Sequence, residues 1–237
     1  MTGRRTAFLL RYCQSAICNL QSAMPTLALL HTSPVHVATF DALAAELAPG
    51  LRLRHMVAED LLAEARAAGL TGALAERLAA RLRDLADGAA AVLCTCSTIG
   101  GMAERTDLGG TPVLRVDRAM AEAALACGPR VALVAALEST LAPTRDLLIA
   151  VAAGRPLDIS AHLCADAWAH FEAGATDAYL AAVAGCARAA APAADVVVLA
   201  QASMAGAVPL LADLSIPALS SPRLGMRAAL ARMKGEG

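Results

Sequence analysis

Val92-Leu93-Cys94-Thr95-Cys96-Ser97 and Val198-Leu199-Ala200-Gln201-Ala202-Ser203 stand 106 residues apart and share one plan, an apolar run ending in small polar residues. Three further landmarks repeat in the same order. Pro25 matches Pro129 at 104 residues, His55 matches His162 at 107, and Pro112-Val113-Leu114 matches Pro217-Ala218-Leu219 at 105. Ordered self-similarity at a near-constant interval is the mark of a duplication. The chain reads as one unit written twice.

Working outward from the quoted stretch, 89–94 is wholly apolar, as strands are when helices cover both faces of a sheet. Strands are expected at 26–30, 51–57, 89–94 and 112–116, then again at 130–135, 157–162, 195–199 and 217–219. Helical runs lie between them. Ser33-Pro34 supplies a cap and first turn for the helix that ends at Pro49-Gly50. Two helical stretches precede Asp87-Gly88, and others are expected at 140–153, 175–190 and 223–233. Strands separated by helices imply parallel sheets with right-handed crossovers. The expected fold is α/β, two pseudo-symmetric Rossmann-like domains with the active site in the cleft between them. The expected division is a disordered leader over 1–23, a first domain over 24–116 plus 217–237, and a second over 117–216.

The 237 residues carry a formal net charge of −1, are 57% hydrophobic and include one Trp, two Tyr and three Phe. A nucleic-acid surface wants a basic stripe and stacking rings, and this chain offers neither. No apolar run reaches the ~18 residues of a membrane span. Arg4-Arg5 before Phe8-Leu9-Leu10 faintly suggests an export signal, but Arg11, Gln14, Asn19 and Gln21 interrupt its core. Met24 is an alternative start. Seven cysteines at irregular spacing do not make a disulfide framework, so reduced thiols in a cytoplasm are expected. Cys94-Thr95-Cys96 lacks the second half of a zinc site. Neither G-x-G-x-x-G nor a P-loop occurs, and no Ser–His–Asp set is legible, so the expectation is no metal and no cofactor.

In open parallel sheets, ligands bind beyond the carboxyl ends of the strands. Four segments fall there: His31-Thr32-Ser33, Cys96-Ser97-Thr98, Ser139-Thr140 and Gln201-Ala202-Ser203. Cys96 follows an apolar strand and opens a helix, where free backbone N–H groups favour a thiolate. The same N–H groups, with the Ser97 and Thr98 hydroxyls, can hold a carboxylate. A thiolate beside an anion pocket suits proton abstraction next to a carboxyl group, or covalent attack. A buried, inert cysteine is the alternative, and Cys94 inside the strand fits that description. His31 is read as an acid, a base, a carboxylate ligand or a structural ring. His36 is read as surface. His55 and His162 end the second strand of each copy.

The duplicated halves, Leu30-His31-Thr32-Ser33-Pro34, Thr95-Cys96-Ser97-Thr98-Ile99-Gly100 and the closing Ser220-Ser221-Pro222-Arg223 together resemble the aspartate/glutamate/hydantoin racemase superfamily. The resemblance implies a cofactor-independent two-domain enzyme that binds a small carboxylate between its domains, with one acid–base cysteine in each half. Cys96 matches the first cysteine. Gln201 or Ala202 stands at the second, depending on a one-residue alignment choice, and neither carries a proton at neutral pH.

The expected activity is proton transfer at the α-carbon of a small carboxylate or amino-acid derivative, with Cys96 catalytic. His31, Thr32, Ser97, Thr98, Ser139, Thr140, Gln201 and Ser203 are expected to bind substrate. Single-cysteine decarboxylation of malonate-like acids and non-catalytic carboxylate binding are the alternatives. The partner expectations are the carboxylate substrate and a homodimer, with no nucleic acid and no membrane.

Overall fold

The computed structural model describes residues 25–235, so the leader expected over 1–23, with Cys13 and Cys18, lies outside the described residues. In chain order the first half carries β1 (Thr26–His31), α1 (Val35–Leu47), β2 (Arg52–Val57), α2 (Glu59–Ala68), α3 (Gly72–Ala86), β3 (Ala91–Cys94), α4 (Ser97–Glu104) and β4 (Val113–Arg115). The second half carries α5 (Arg118–Cys127), β5 (Arg130–Ala135), α6 (Glu138–Ala152), β6 (Asp158–Leu163), α7 (Ala167–Glu172), α8 (Thr176–Ala190), β7 (Val196–Leu199), a 3-10 segment (Ala202–Leu211) and β8 (Ala218–Ser220). α9 (Ser221–Met233) closes the chain.

Two four-stranded parallel sheets result, ordered β2-β1-β3-β4 and β6-β5-β7-β8. The two orders are the same, so the halves share one topology. In each sheet the two central strands are sealed on both faces, which is why β1, β3, β5 and β7 read as unbroken apolar runs.

The helices that flank the halves cross over. On α5, Met120, Ala121 and Ala124 pack with Val131, Leu133, Val196 and Val198 of the second sheet. On α9, Met226 and Ala229 pack with Leu27, Leu29, Phe40 and Leu93 of the first. Gly225 permits this, because a Cβ there would lie 2.3 Å from the Val116 carbonyl oxygen. β8 pairs with β7, so the return to the first half falls at Ser221 rather than at the expected residue 217.

Strand register corrects the match of His55 with His162. His55 pairs with Leu29, whereas His162 pairs with Val134, one residue beyond the equivalent Leu133. A one-residue slip turns a side chain to the other face of a strand. His55 accordingly reaches His31, while His162 bonds only the Ser160 hydroxyl at 3.1 Å.

Cys164 and Cys186 form a disulfide, which corrects the expectation of seven reduced thiols. It ties the turn before α7 to α8. Its partners lie 22 residues apart, and only the packing of those two helices brings their Cα atoms to 6.1 Å. Cys94, Cys96 and Cys127 are free. Among the described residues, no helix is long and apolar enough to cross a membrane.

Candidate active site

Both sheets end their central strands toward a cavity between the halves. Thr32, Ser33 and His36 line it after β1, and Thr95, Cys96, Ser97 and Thr98 after β3. From the second half come Leu137, Thr140, Gln201, Ala202 and Ser203, with Leu62, Trp168 and Phe171 forming an apolar wall. The free space inside is about 40 Å³, room for one or two waters. Beyond the wall, a vestibule of about 360 Å³ is shared by α2 and α7. Arg66 of α2 donates to Glu172 of α7 at 3.1 Å, and its guanidinium lies 5.5 Å from the Trp168 ring centre.

Cys96 is the N-cap of α4, in extended conformation at φ −103° and ψ 115°. Gln201 occupies the same place before the 3-10 segment, at φ −110° and ψ 142°. The register settles the alignment: β3 meets β1 through Leu27–Ala91 as β7 meets β5 through Val131–Val196, so Gln201, not Ala202, is the counterpart of Cys96. The Gln201 Oε1 accepts the Ala136 backbone N–H at 2.6 Å. Its amide nitrogen is left as the donor for the cavity.

The first turns of α4 and α6 hold the halves together. Ser97 donates to the Ala200 carbonyl at 2.6 Å, and the Thr98 and Thr140 hydroxyls meet at 3.2 Å. Ser97 was expected to donate to substrate, but its one proton goes to the opposite half. Ser203 is held by the Tyr179 hydroxyl at 2.7 Å, whose pKa burial pushes up to about 12. Gly100 and Gly101 leave α4 bare for Arg115, which forks onto the buried Asp117 at 2.7 and 2.9 Å and reaches the Pro143 carbonyl at 3.4 Å.

Two expected ligands fall outside the cavity. The Ser139 hydroxyl is buried with no partner among the described residues. His31 is fully buried behind the site. Thr95 donates to the Leu30 carbonyl at 3.1 Å, so His31 Nδ1–H donates to Thr95 at 2.8 Å. His31 Nε2 then accepts from His55 Nδ1 at 2.9 Å, and His55 Nε2 donates to Asp41 at 3.1 Å. Burial, with His36 and His55 adding to it, lowers the His31 pKa to about 3. His31 is a neutral strut that fixes the Thr95-Cys96 turn.

His36, read as surface from the sequence, is buried and lines the cavity. Burial lowers its pKa to about 4. Ser33, read as a helix cap, makes no capping bond and also lines the cavity. The signal for both was position alone, in the turn after β1. Cys94 is the inert thiol of the pair: it is fully buried, burial and the neighbouring Cys96 raise its pKa well above the usual range, and it donates to the Cys96 carbonyl at 3.7 Å.

Two α/β halves sharing one strand order, with a thiol at the interface turn, invite comparison with known proteins. The Asp/Glu/Hydantoin racemase family matches residues 20–229. The chain belongs to that family. Membership makes it an isomerase-type enzyme. An aspartate racemase from Picrophilus torridus superposes with a TM-score of 0.69 at 10% identity, covering 89% of this chain and 94% of that one. An allantoin racemase from Pseudomonas fluorescens gives 0.63 at 18% identity, covering 89% and 91%. An arylmalonate decarboxylase gives 0.58 at 19% identity, covering 90% and 94%. At these identities the likeness is one of fold. No curated protein matches the chain.

Proposed function

We propose that this racemase-family chain transfers a proton at the α-carbon of a small carboxylate, with Cys96 as the acid–base thiol. The observation that carries the reading is a cavity between the halves whose only thiol sits at a helix N-terminus among uncharged donors. Thr32, the Gln201 amide and the first-turn N–H groups of α4 are the proposed carboxylate and enolate ligands, since oriented N–H groups stabilise an anion. Thr98, Thr140 and Ser203 shape the cavity, their hydroxyls being partly engaged already.

The test is deuterium uptake at the α-carbon, followed by NMR, with both enantiomers of aspartate and glutamate. Exchange that Cys96→Ala abolishes supports the reading. Binding without exchange would point to the non-catalytic alternative.

A second reading has its own support. Gln201 cannot carry a proton, and the wall of Leu62, Trp168 and Phe171 suits an apolar substituent. Such a site fits decarboxylation of a malonate-like acid. The bond to one carboxylate breaks, CO2 leaves, the electron pair enters an enolate, and the Cys96 thiol protonates the carbon. Phenylmalonate as substrate, with CO2 release as the readout, distinguishes this path from racemisation.

We also propose a cytoplasmic homodimer. A free Cys96 thiol, which catalysis of either kind needs, supports a reducing compartment, and the Cys164–Cys186 bond is the observation that weighs on the other side. Sedimentation at the mass of a single chain, or activity confined to an exported fraction, would overturn this part.

A further inference from the structure

A racemising site needs two groups that can take up and return a proton. With Gln201 in place of a second thiol, the cavity must be searched for another. Of the fifteen lining residues, two have side chains that titrate: Cys96 and His36. His31, the other histidine of this region, has both ring nitrogens engaged and does not line the cavity.

We propose that His36 is the second proton-transfer residue of this site, working with Cys96 on one shared proton. The inference rests on the proton-transfer reading above and names its second carrier. His36 is 8% exposed, and neither ring nitrogen has a hydrogen-bond partner among the described residues. No ring nitrogen of His36 is among the fully enclosed unpartnered atoms, so on a cavity wall with no protein partner the imidazole is open to a ligand. It is held there by the first turn of α1, where its backbone N–H reaches the Ser33 carbonyl at 3.4 Å. Among the described residues its one ring neighbour is His31, centred 6.2 Å away.

The charges around it leave it neutral when the site is empty. Behind it stand neutral His31 and the His55–Asp41 pair. Glu59, Arg66 and Glu172 lie around the vestibule. The 3-10 segment packed against α1 has no titratable side chain, and on α9 Arg223 is paired with Glu46 while Arg227 lies one turn further on. Burial lowers the pKa of the imidazole to about 4, so it is unprotonated at neutral pH in the empty site. A bound carboxylate raises that value, because an opposite charge favours the protonated ring.

The steps balance on one proton. With Cys96 as thiolate and His36 as imidazolium, the thiolate takes the α-proton, the C–H electron pair enters the enolate, and His36 returns a proton to the carbon. The pair is left as thiol and neutral imidazole. From that state the same steps run in reverse, His36 taking the proton and Cys96 returning one. No net proton enters or leaves the site.

The experiment measures α-proton exchange of each enantiomer of aspartate and glutamate in deuterated water, for the natural protein, His36→Gln, His36→Asn and Cys96→Ala. Loss of His36 is expected to slow exchange of one enantiomer by about 100-fold or more and to remove the acidic limb of the kcat/KM profile. Unchanged rates and an unchanged pH profile in both His36 variants overturn the proposal while leaving Cys96 in its role. A natural protein that exchanges neither compound overturns the underlying reading and this proposal together. If the variants fail to fold, NMR titration of the His36 ring decides. A His36 pKa raised by saturating aspartate or glutamate supports the proposal, and an unmoved one overturns it.

Discussion

The turn after β3 and the turn after β7 share a backbone and differ in chemistry. Each follows a buried four-residue strand, and each begins with an extended N-cap residue, Cys96 in one and Gln201 in the other. Cys96 opens an α-helix. Gln201 opens a 3-10 segment containing Pro209, and its side chain is spent in part on the Ala136 amide. The two halves share this geometry while one carries a proton carrier and the other a fixed hydrogen-bond donor. The teaching is that pseudo-symmetry of the backbone does not carry pseudo-symmetry of the reaction.

Substitution at the two caps is the strongest way to break that comparison. Cys96→Ala is expected to lower turnover by about a thousandfold or more, as loss of a general acid–base group does, whereas Gln201→Ala should cost about tenfold. Steady-state kinetics on whichever substrate exchanges checks both. Gln201→Cys should narrow the difference between enantiomers by restoring a thiol. It also strands the buried Ala136 N–H, so a stability loss of about 1–3 kcal/mol should accompany it in urea unfolding.

Next comes a buried ion pair that only one half has. Arg115 and Asp117 are both buried, and the corresponding residues after β7 are Ser220 and Pro222. Asp117→Ala leaves a buried guanidinium unpaired and should cost about 3–5 kcal/mol. Equal stability of Asp117→Ala and the natural protein would show that solvent reaches Arg115.

Acid should also act on the halves unequally. His31 and His36, both in the first half, have folded pKa values of about 3 and 4, below the ordinary 6.5. The unfolded chain therefore binds more protons between those values, and stability that is full above pH 6.5 falls as the pH drops toward 4. The loss is roughly 3 kcal/mol per ring by pH 4. Thermal melts of His36→Gln from pH 7 to 4 should fall less steeply than those of the natural protein. Parallel curves would mean that His36 is already protonated when folded.

The smallest effect should come from the latch across the vestibule. Arg66 and Glu172 are 42% and 55% exposed, so Arg66→Ala should change stability by no more than about 1 kcal/mol. Its sharper readout is substrate entry, seen as a change in kcat/KM with ionic strength.

Much of this was legible in the chain itself. The repeat, the four central strands and the parallel class follow from apolar runs, because a strand covered on both faces has no freedom to be polar. Cys96 was legible too, since a cysteine after such a run must sit at a strand-to-helix turn. α5, α7 and the 3-10 segment were not. α7 is a single turn and a half, and the 3-10 segment has an apolar composition without helical period.

What tertiary structure decided is which side chains meet. Sequence put His31 on the wall of the site and His36 on the surface. Packing reversed them, because α1 turns His36 inward while Thr95 and His55 consume both nitrogens of His31. Sequence left Gln201 and Ala202 as equal counterparts of Cys96, and strand register chose between them. The Cys164–Cys186 bond depends on how α7 lies on α8, which no spacing encodes. Periodicity reports the environment of a segment, so it fixes elements and their order. Side-chain partners depend on register and on the angle at which elements pack, and those are set only when distant parts of the chain bury surface against one another.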